Sequence, residues 1–308
     1  LHYPDGAEFR ALWEDGDAFV ELRGAAADLA AFEEVLGWLR QVGVDDWLTG
    51  SSTELPALER ELLAGKGHGG GVSARIAALL ARAEAGEDLA EADVTALLGA
   101  RGADFARVCE QADALNRRLH GERVSYVVNR NINYTNVCYF KCQFCAFSKG
   151  KAHDHLRGTP YDLDDAELTR RVAEAWARGA TEVCLQGGIH PAYTGQKYLD
   201  VCRLVKEAAP RMHIHAFSPL EVWQGAKTLG LPLGDFIAKL REAGLATLPG
   251  TAAEILHDEV RAVLCPDKIN SAQWLEVMEA AHSQGVRTTA TIMYGHIEQP
   301  RHQAHHLL

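Results

Sequence analysis

From residue 124 onward, five short β-forming runs alternate with helix-forming stretches, and this alternation limits the fold more tightly than any other property of the 308 residues. The runs are 124–133, 181–187, 211–217, 245–250 and 286–294. The helical stretches between them are 164–178, 196–209, 221–243 and 271–284, the third broken at Gly230-Leu-Pro232. Strands separated by helix-length connections cannot pair as hairpins. They cross over right-handed and lie parallel. Polar side chains keep a period of two along these runs, so Asn129, Asn131 and Asn133 share one face while Val128, Arg130 and Ile132 share the other. His213, His215 and Phe217 likewise oppose Met212, Ile214 and Ala216, and Thr289, Thr291 and Met293 alternate along the fifth run. The apolar set is expected to meet outer helices and the polar set to face a lumen. The class is α/β with a parallel sheet, in which chemistry gathers at the carboxyl ends of the strands.

Upstream, helices are expected over 74–85, 89–98 and 104–119, the first capped by Ser73 and the others ending near Gly99 and Gly121. They form a helical cap, residues 73–121, ahead of a barrel at 122–308. Clustered glycine at 65–71 is a linker signal, separating off an acidic, mainly helical segment, 1–72. Within it Leu29, Phe32, Leu36 and Leu39 recur at helical spacing, and Trp13, Trp38 and Trp47 concentrate there. Fourteen acidic and four basic residues give 1–65 a charge of -10, leaving about -1 of the total of -11 for the rest. With no basic surface, a nucleic-acid partner is disfavoured. Seven cysteines, an odd number, with neither a signal peptide nor a membrane-length apolar run, fit a reducing cytoplasm and no membrane partner. Beginning at Leu1 and stopping at His-His-Leu-Leu308, the chain is expected to be a fragment.

The first strand leads into Cys138, Cys142 and Cys145, a Cys-x3-Cys-x2-Cys run. Three closely spaced thiolates can hold three corners of a cubane iron-sulfur cluster and leave one iron open, whereas a structural zinc or a closed electron-transfer cluster takes four ligands. Cys109, Cys184, Cys202 and Cys265 are solitary, and none completes a second Cys-x2-Cys pair. A zinc site that recruits one of them is the alternative.

Asn131-Ile-Asn-Tyr-Thr-Asn-Val-Cys138, continuing through Cys145-Ala-Phe-Ser, resembles the cluster loop of radical S-adenosylmethionine (SAM) enzymes. Five further segments sharpen the likeness: Leu185 to Pro191, His213 to Pro219, Leu248 to Leu256, Cys265 to Lys268 and Thr291 to His296. Together they resemble the tyrosine-dependent half of FO synthase, over a span from about Ala74 to the C-terminus. The resemblance implies a partial (βα)6-type barrel, here truncated after about five strands with an unpaired edge. It also implies a 4Fe-4S cluster and SAM as cofactors, Cys138, Cys142 and Cys145 being the metal ligands.

For cofactor binding the resemblance implies the backbone beside Phe144, the glycine-rich turn of Gln186, Gly187 and Gly188, and Thr251 with Glu254 at the fourth strand exit. Ile189 stands where the family has an acidic residue, which leaves carboxylate assistance there in question. His215, His190 and Tyr294 are candidates for catalytic hydrogen bonding or proton transfer. His190 could instead cap a loop, Glu254 could be a surface residue, and His153 and His155 are expected to be solvated.

The activity implied is that of a carbon-carbon bond-forming transferase. Reductive cleavage of SAM yields a 5'-deoxyadenosyl radical, and L-tyrosine then loses its side chain as a p-hydroxybenzyl fragment that joins 5-amino-6-(D-ribitylamino)uracil. The product is FO, the precursor of the deazaflavin coenzyme F-420. Partners would be these two substrates, a second FO synthase half, fused or separate, and an electron donor. Two rivals stand: a menaquinone-pathway radical SAM enzyme acting on futalosine-type compounds, and a non-enzymatic iron-sulfur or zinc protein.

Overall fold

A computed structural model describes residues 71–123, 125–145 and 160–308. The acidic segment, most of the glycine-rich stretch, His153 and His155 lie outside the described residues. In chain order the elements begin with α1 (Ala74–Glu84), α2 (Glu91–Leu98), α3 (Ala103–His120), β1 (Asn129–Asn133), α4 (Asp165–Ala177), β2 (Glu182–Gln186), α5 (Gly195–Ala208) and β3 (His213–Ala216). They continue with α6 (Pro219–Leu229), α7 (Leu233–Ala243), β4 (Thr247–Leu248), α8 (Asp258–Leu264), α9 (Ser271–Ser283), β5 (Arg287–Thr288) and α10 (Pro300–Leu307). The described residues form two compact units, one comprising α1–α3 with residues 294–308, the other residues 127–293.

In the first unit Ser73 caps α1, accepting from Ile76 N at 3.3 Å, and is itself fixed by Asp104, whose carboxylate accepts from Ser73 N at 2.7 Å and Oγ at 2.9 Å. Ile76, Leu79, Leu80 and Ala100 are its core. α10 packs against α2, with His305 Nδ1 3.1 Å from a Glu91 carboxylate oxygen.

The second unit holds one sheet, ordered β1-β2-β3-β4-β5 with every pair parallel, and helices α4–α9. Along the strands Arg130, Ile132, Val183, Leu185, Ile214, Ala216 and Leu248 are at most 1% exposed, forming the face that meets the helices. The opposite face is polar and partly accessible, and the register aligns it in rows: Asn129, Glu182 and His213, then Asn131, Cys184, His215 and Thr247, then Asn133 and Gln186. Arg130 is tolerated on the apolar face because its guanidinium reaches Glu174 at 2.8 Å and the Arg171 carbonyl at 3.1 Å.

The predicted helix break lies where expected. Gly230 ends α6 with a left-handed φ of 64°, and Pro232, which fixes φ and offers no N–H, precedes α7. Three details differ from the sequence reading. Phe217 turns from the lumen into the core, with ring centroids 6.2 Å from Tyr134 and 5.0 Å from Tyr198. Residues 289–294 leave the ladder after two residues of β5. There the Thr289 and Thr291 hydroxyls bond the Gly250 main chain in place of a regular backbone ladder, at 3.0 and 2.5 Å. The short α8 has no side-chain cap, so it left no signal to read. No helix among the described residues is long and apolar enough to cross a membrane.

Candidate cluster and cofactor site

Beyond β1 the chain enters the cysteine loop, which backbone hydrogen bonds tie to its neighbours. Gly188 N donates to Thr135 O at 2.8 Å, Tyr139 N to Ile189 O at 3.2 Å and Gln143 N to Leu264 O at 2.9 Å. Cys145 N returns to Cys142 O at 3.2 Å, closing a tight turn between the last two thiols. Cys138, Cys142 and Cys145 all line one cavity of about 180 Å³, together with Gln186, Gly187 and Gly188. The glycines are there for space. A Cβ on Gly187 would lie 2.5 Å from the Tyr134 ring, and one on Gly188 would lie 2.3 Å from Val137 O. Thr251 lines the same cavity, and its hydroxyl, though buried, makes no hydrogen bond among the described residues. Three thiols around one space, a main-chain wall bare of side chains and an orphaned hydroxyl fit a cluster that presents a polar organic ligand at its open corner.

The charges around this cavity are few and deeply placed. Burial pushes the Cys142 thiol up to about 11, while Lys268 pulls it the other way; ligation by metal requires the thiolate. Lys268 lines the cavity, 12% exposed, with its ammonium 2.5 Å from Glu254 and 5.4 Å from the Phe144 ring centroid. Burial works to lower the Lys268 pKa, but Glu254 and Cys142 outweigh it and the group stays fully cationic. Glu254 (φ 46°) and Ala252 (φ 61°) both adopt the left-handed backbone that side chains disfavour. Arg261 holds that strained turn, its buried guanidinium donating to the carbonyls of Ala252, Ala253 and Ile269. Cys265 packs behind Cys142 and Phe144 in a small apolar cluster and does not line the cavity.

Sequence reasoning missed Glu221. This carboxylate is 1% exposed and lines the cavity under the glycine turn. One oxygen accepts from Gly187 N at 3.1 Å and from the Tyr134 hydroxyl; the other accepts from Ser218 N at 2.7 Å and Ser218 Oγ at 2.6 Å. Burial raises its pKa, against the lowering effect of these bonds. Ile189 itself is buried and apolar, so the acidic group of this region comes from α6 instead. A signal was present, since Ser218-Pro-Leu-Glu221 has the form of a capping box and the structure shows one.

The predicted residues divide by location. Gln186, Gly187, Gly188 and Thr251 share the cavity with the cysteines, and Phe144 and Glu254 flank Lys268 at its edge. His215 lies in the middle row of the polar face, bonded through Nδ1 to Thr247 at 2.8 Å. His190 accepts from Ala192 N at 3.1 Å and stacks on Tyr193 at 4.7 Å, the arrangement of a loop cap, and is absent from the cavity wall. Tyr294 belongs to the first unit, where it is 72% exposed.

A parallel strand-helix barrel portion, whose first strand leads into a three-thiol loop facing a glycine turn, defines a class of iron-sulfur protein that binds a ligand at the cluster. The sequence pattern of the Radical SAM superfamily matches residues 132–308, and the chain belongs to that superfamily. Its cofactors are accordingly a 4Fe-4S cluster and SAM. The chain is 46% identical over 231 residues to an FO synthase of Streptomyces coelicolor, a match covering 75% of the chain and 26% of that relative. It is 41% identical over 221 residues to the 5-amino-6-(D-ribitylamino)uracil--L-tyrosine 4-hydroxyphenyl transferase of Methanothermobacter thermautotrophicus, covering 72% of the chain and 59% of the relative. The chain thus spans about a quarter of the length of the FO synthase relative and under two thirds of the shorter one. Among solved structures, methylornithine synthase shares the fold with a TM-score of 0.57 at 19% identity, covering 74% of this chain and 63% of that one.

Proposed function

We propose that this chain supplies the radical SAM barrel of the tyrosine-dependent half of FO synthase, transferring the p-hydroxybenzyl group of L-tyrosine to 5-amino-6-(D-ribitylamino)uracil. One observation carries the reading: the three-thiol cavity with its glycine wall belongs to a chain whose relatives, at 41–46% identity, bear those names. When bound, the cluster and SAM supply a carbon-centred radical. The chain's own residues do the rest. Cys138, Cys142 and Cys145 hold three irons, and the bare Gly187-Gly188 main chain admits the amino acid end of SAM. The Lys268 ammonium suits that ligand's carboxylate, while Thr251 and Glu254 offer polar contacts to its sugar. Apolar residues such as Phe140 and Ile189 keep water from a reactive intermediate. His215 addresses the second substrate, and His190 and Tyr294 remain candidates for hydrogen bonding. The partners proposed with this activity are a second FO synthase half and an electron donor in the cytoplasm, with no nucleic acid or membrane involved. The domain boundaries at 72 and 121 belong to the same reading.

Anaerobic reconstitution of the full-length protein with labelled L-tyrosine and the diaminouracil should yield a labelled conjugate by mass spectrometry. Turnover of a futalosine-type compound instead would overturn the assignment. Cys265→Ser separates the cluster from a four-thiolate zinc site. It should leave iron and sulfide content unchanged, whereas Cys142→Ala should abolish both; loss of bound metal in Cys265→Ser would favour zinc.

A further inference from the structure

β3 and β4 build a hydrogen-bonded chain on the polar face of the sheet, apart from the cluster cavity. Thr247 Oγ1 lies 2.8 Å from His213 Nε2 and 2.8 Å from His215 Nδ1. A hydroxyl owns one proton and can give it to only one of these nitrogens. No other partner for this hydroxyl is found among the described residues, so it donates to one imidazole and accepts from the other. The tautomer of one histidine therefore dictates that of its neighbour.

Glu182 breaks the tie. Its carboxylate lies 3.7 Å from His213 Nε2 and is paired with His213 across the β2–β3 register. An anion beside that nitrogen favours the tautomer that carries its proton there. His213 then donates from Nε2 to Thr247, Thr247 donates to His215 Nδ1, and the ring proton of His215 is left on Nε2. That atom has no partner among the described residues. The groups facing His215 are Glu182 and Cys184 on β2, His213 on its own strand, and Arg287 on β5, across from Thr247. Burial depresses the His215 pKa, with Glu182 opposing and His213 adding to it, which favours the neutral ring.

We infer that Thr247, oriented by Glu182 through His213, holds His215 as its Nε2–H tautomer. His215 is then a neutral hydrogen-bond donor that selects a ligand bearing a carbonyl oxygen, with Thr247 as its positioning residue. Asn131 lies in the same row and offers an amide to a polar heterocycle held there. The choice of a pyrimidinedione carbonyl as that acceptor rests on the proposed function; the tautomer does not.

Ring nitrogen-15 spectra of histidine-labelled, full-length holoprotein with its cluster oxidised test both parts, with His215→Gln assigning the signal. Without substrate, His215 should show an unprotonated Nδ1 and a protonated Nε2. Thr247→Val should mix the two tautomers and move the His215 titration midpoint, and Thr247→Ser should restore both. A protonated Nδ1 in the unmodified protein, or an unchanged tautomer in Thr247→Val, overturns the inference. Addition of the diaminouracil alone should shift Nε2. A correct tautomer with no such shift sinks the substrate assignment and leaves the relay standing.

Discussion

Replacing Gly188 by alanine should evict the cluster while leaving the fold in place. A Cβ at this position lies 2.3 Å from Val137 O, 2.7 Å from Val137 C and 2.9 Å from Cys138 Cβ, where ordinary contact begins at 3.4 Å. The main chain leading into Cys138 must therefore retreat by about 1 Å. The two nearest neighbours are backbone, the third is a Cβ fixed by its own backbone, and Gly188 N is itself bonded to Thr135 O, so no flexible side-chain end can absorb the shift. Gly188 is not among the positive-φ glycines, and the penalty is steric rather than conformational. Overpacking of this kind costs about 1–3 kcal/mol, which for a domain of this size lowers Tm by about 2–4 °C for each kcal/mol. A metal ligand tolerates about 0.5 Å of misplacement, so a 1 Å shift of Cys138 should cost far more in cluster occupancy than in stability. Iron and acid-labile sulfide per chain after anaerobic reconstitution, read beside far-ultraviolet circular dichroism, separate the two effects. Gly86→Ala is the control, because Gly86 has a φ of 78° and open space around its Cβ; it should lose stability and keep its iron. Full iron and a normal SAM-induced change in the cluster spectrum of Gly188→Ala would refute the reasoning.

Glu221→Gln should destabilise the protein by about 1–3 kcal/mol in urea unfolding. The Tyr134 and Ser218 hydroxyls can reverse to accept from an amide, but the Gly187 and Ser218 backbone N–H groups, one on each carboxylate oxygen, cannot; a neutral substitution would mean that the carboxylate does not seat the glycine turn. Acid should weaken α4 in a defined window. Hydrogen bonding from Arg170, and then Arg171, lowers Glu167 to about 2 from an ordinary 4.5, so the stability it adds is complete above pH 4.5 and is lost as pH falls toward 2. Thermal unfolding of Glu167→Gln across that range should show a shallower acid limb than the unmodified protein, and parallel limbs would contradict this.

Much of the fold was legible because its determinants are local. Period-two polarity identified which residues of β1 and β3 turn from the helices. Gly230 and Pro232 marked the break between α6 and α7, and three cysteines within eight positions announced the loop whose thiols line one cavity. The lengths of β4 and β5 were not legible, because Gly250 is bonded by threonine hydroxyls 39 and 41 residues away. The site was readable in part: its thiols, its glycines and Glu254 stood out as candidates, and Glu221 did not.

By itself the sequence determined the faces of β1 and β3 and the three-thiol loop, since each follows from residues a few positions apart, and the parallel connectivity, which follows from the helix-length connections between strands. Tertiary structure alone decided that Glu221 would seat Gly187, that Lys268 would meet Glu254 at the cavity, and that Thr247 would link two histidines. Those contacts join groups 14 to 34 residues apart. Chain spacing carries no record of which distant groups the packing of helices on a sheet brings within hydrogen-bonding distance, and it is those contacts that set charge and tautomer.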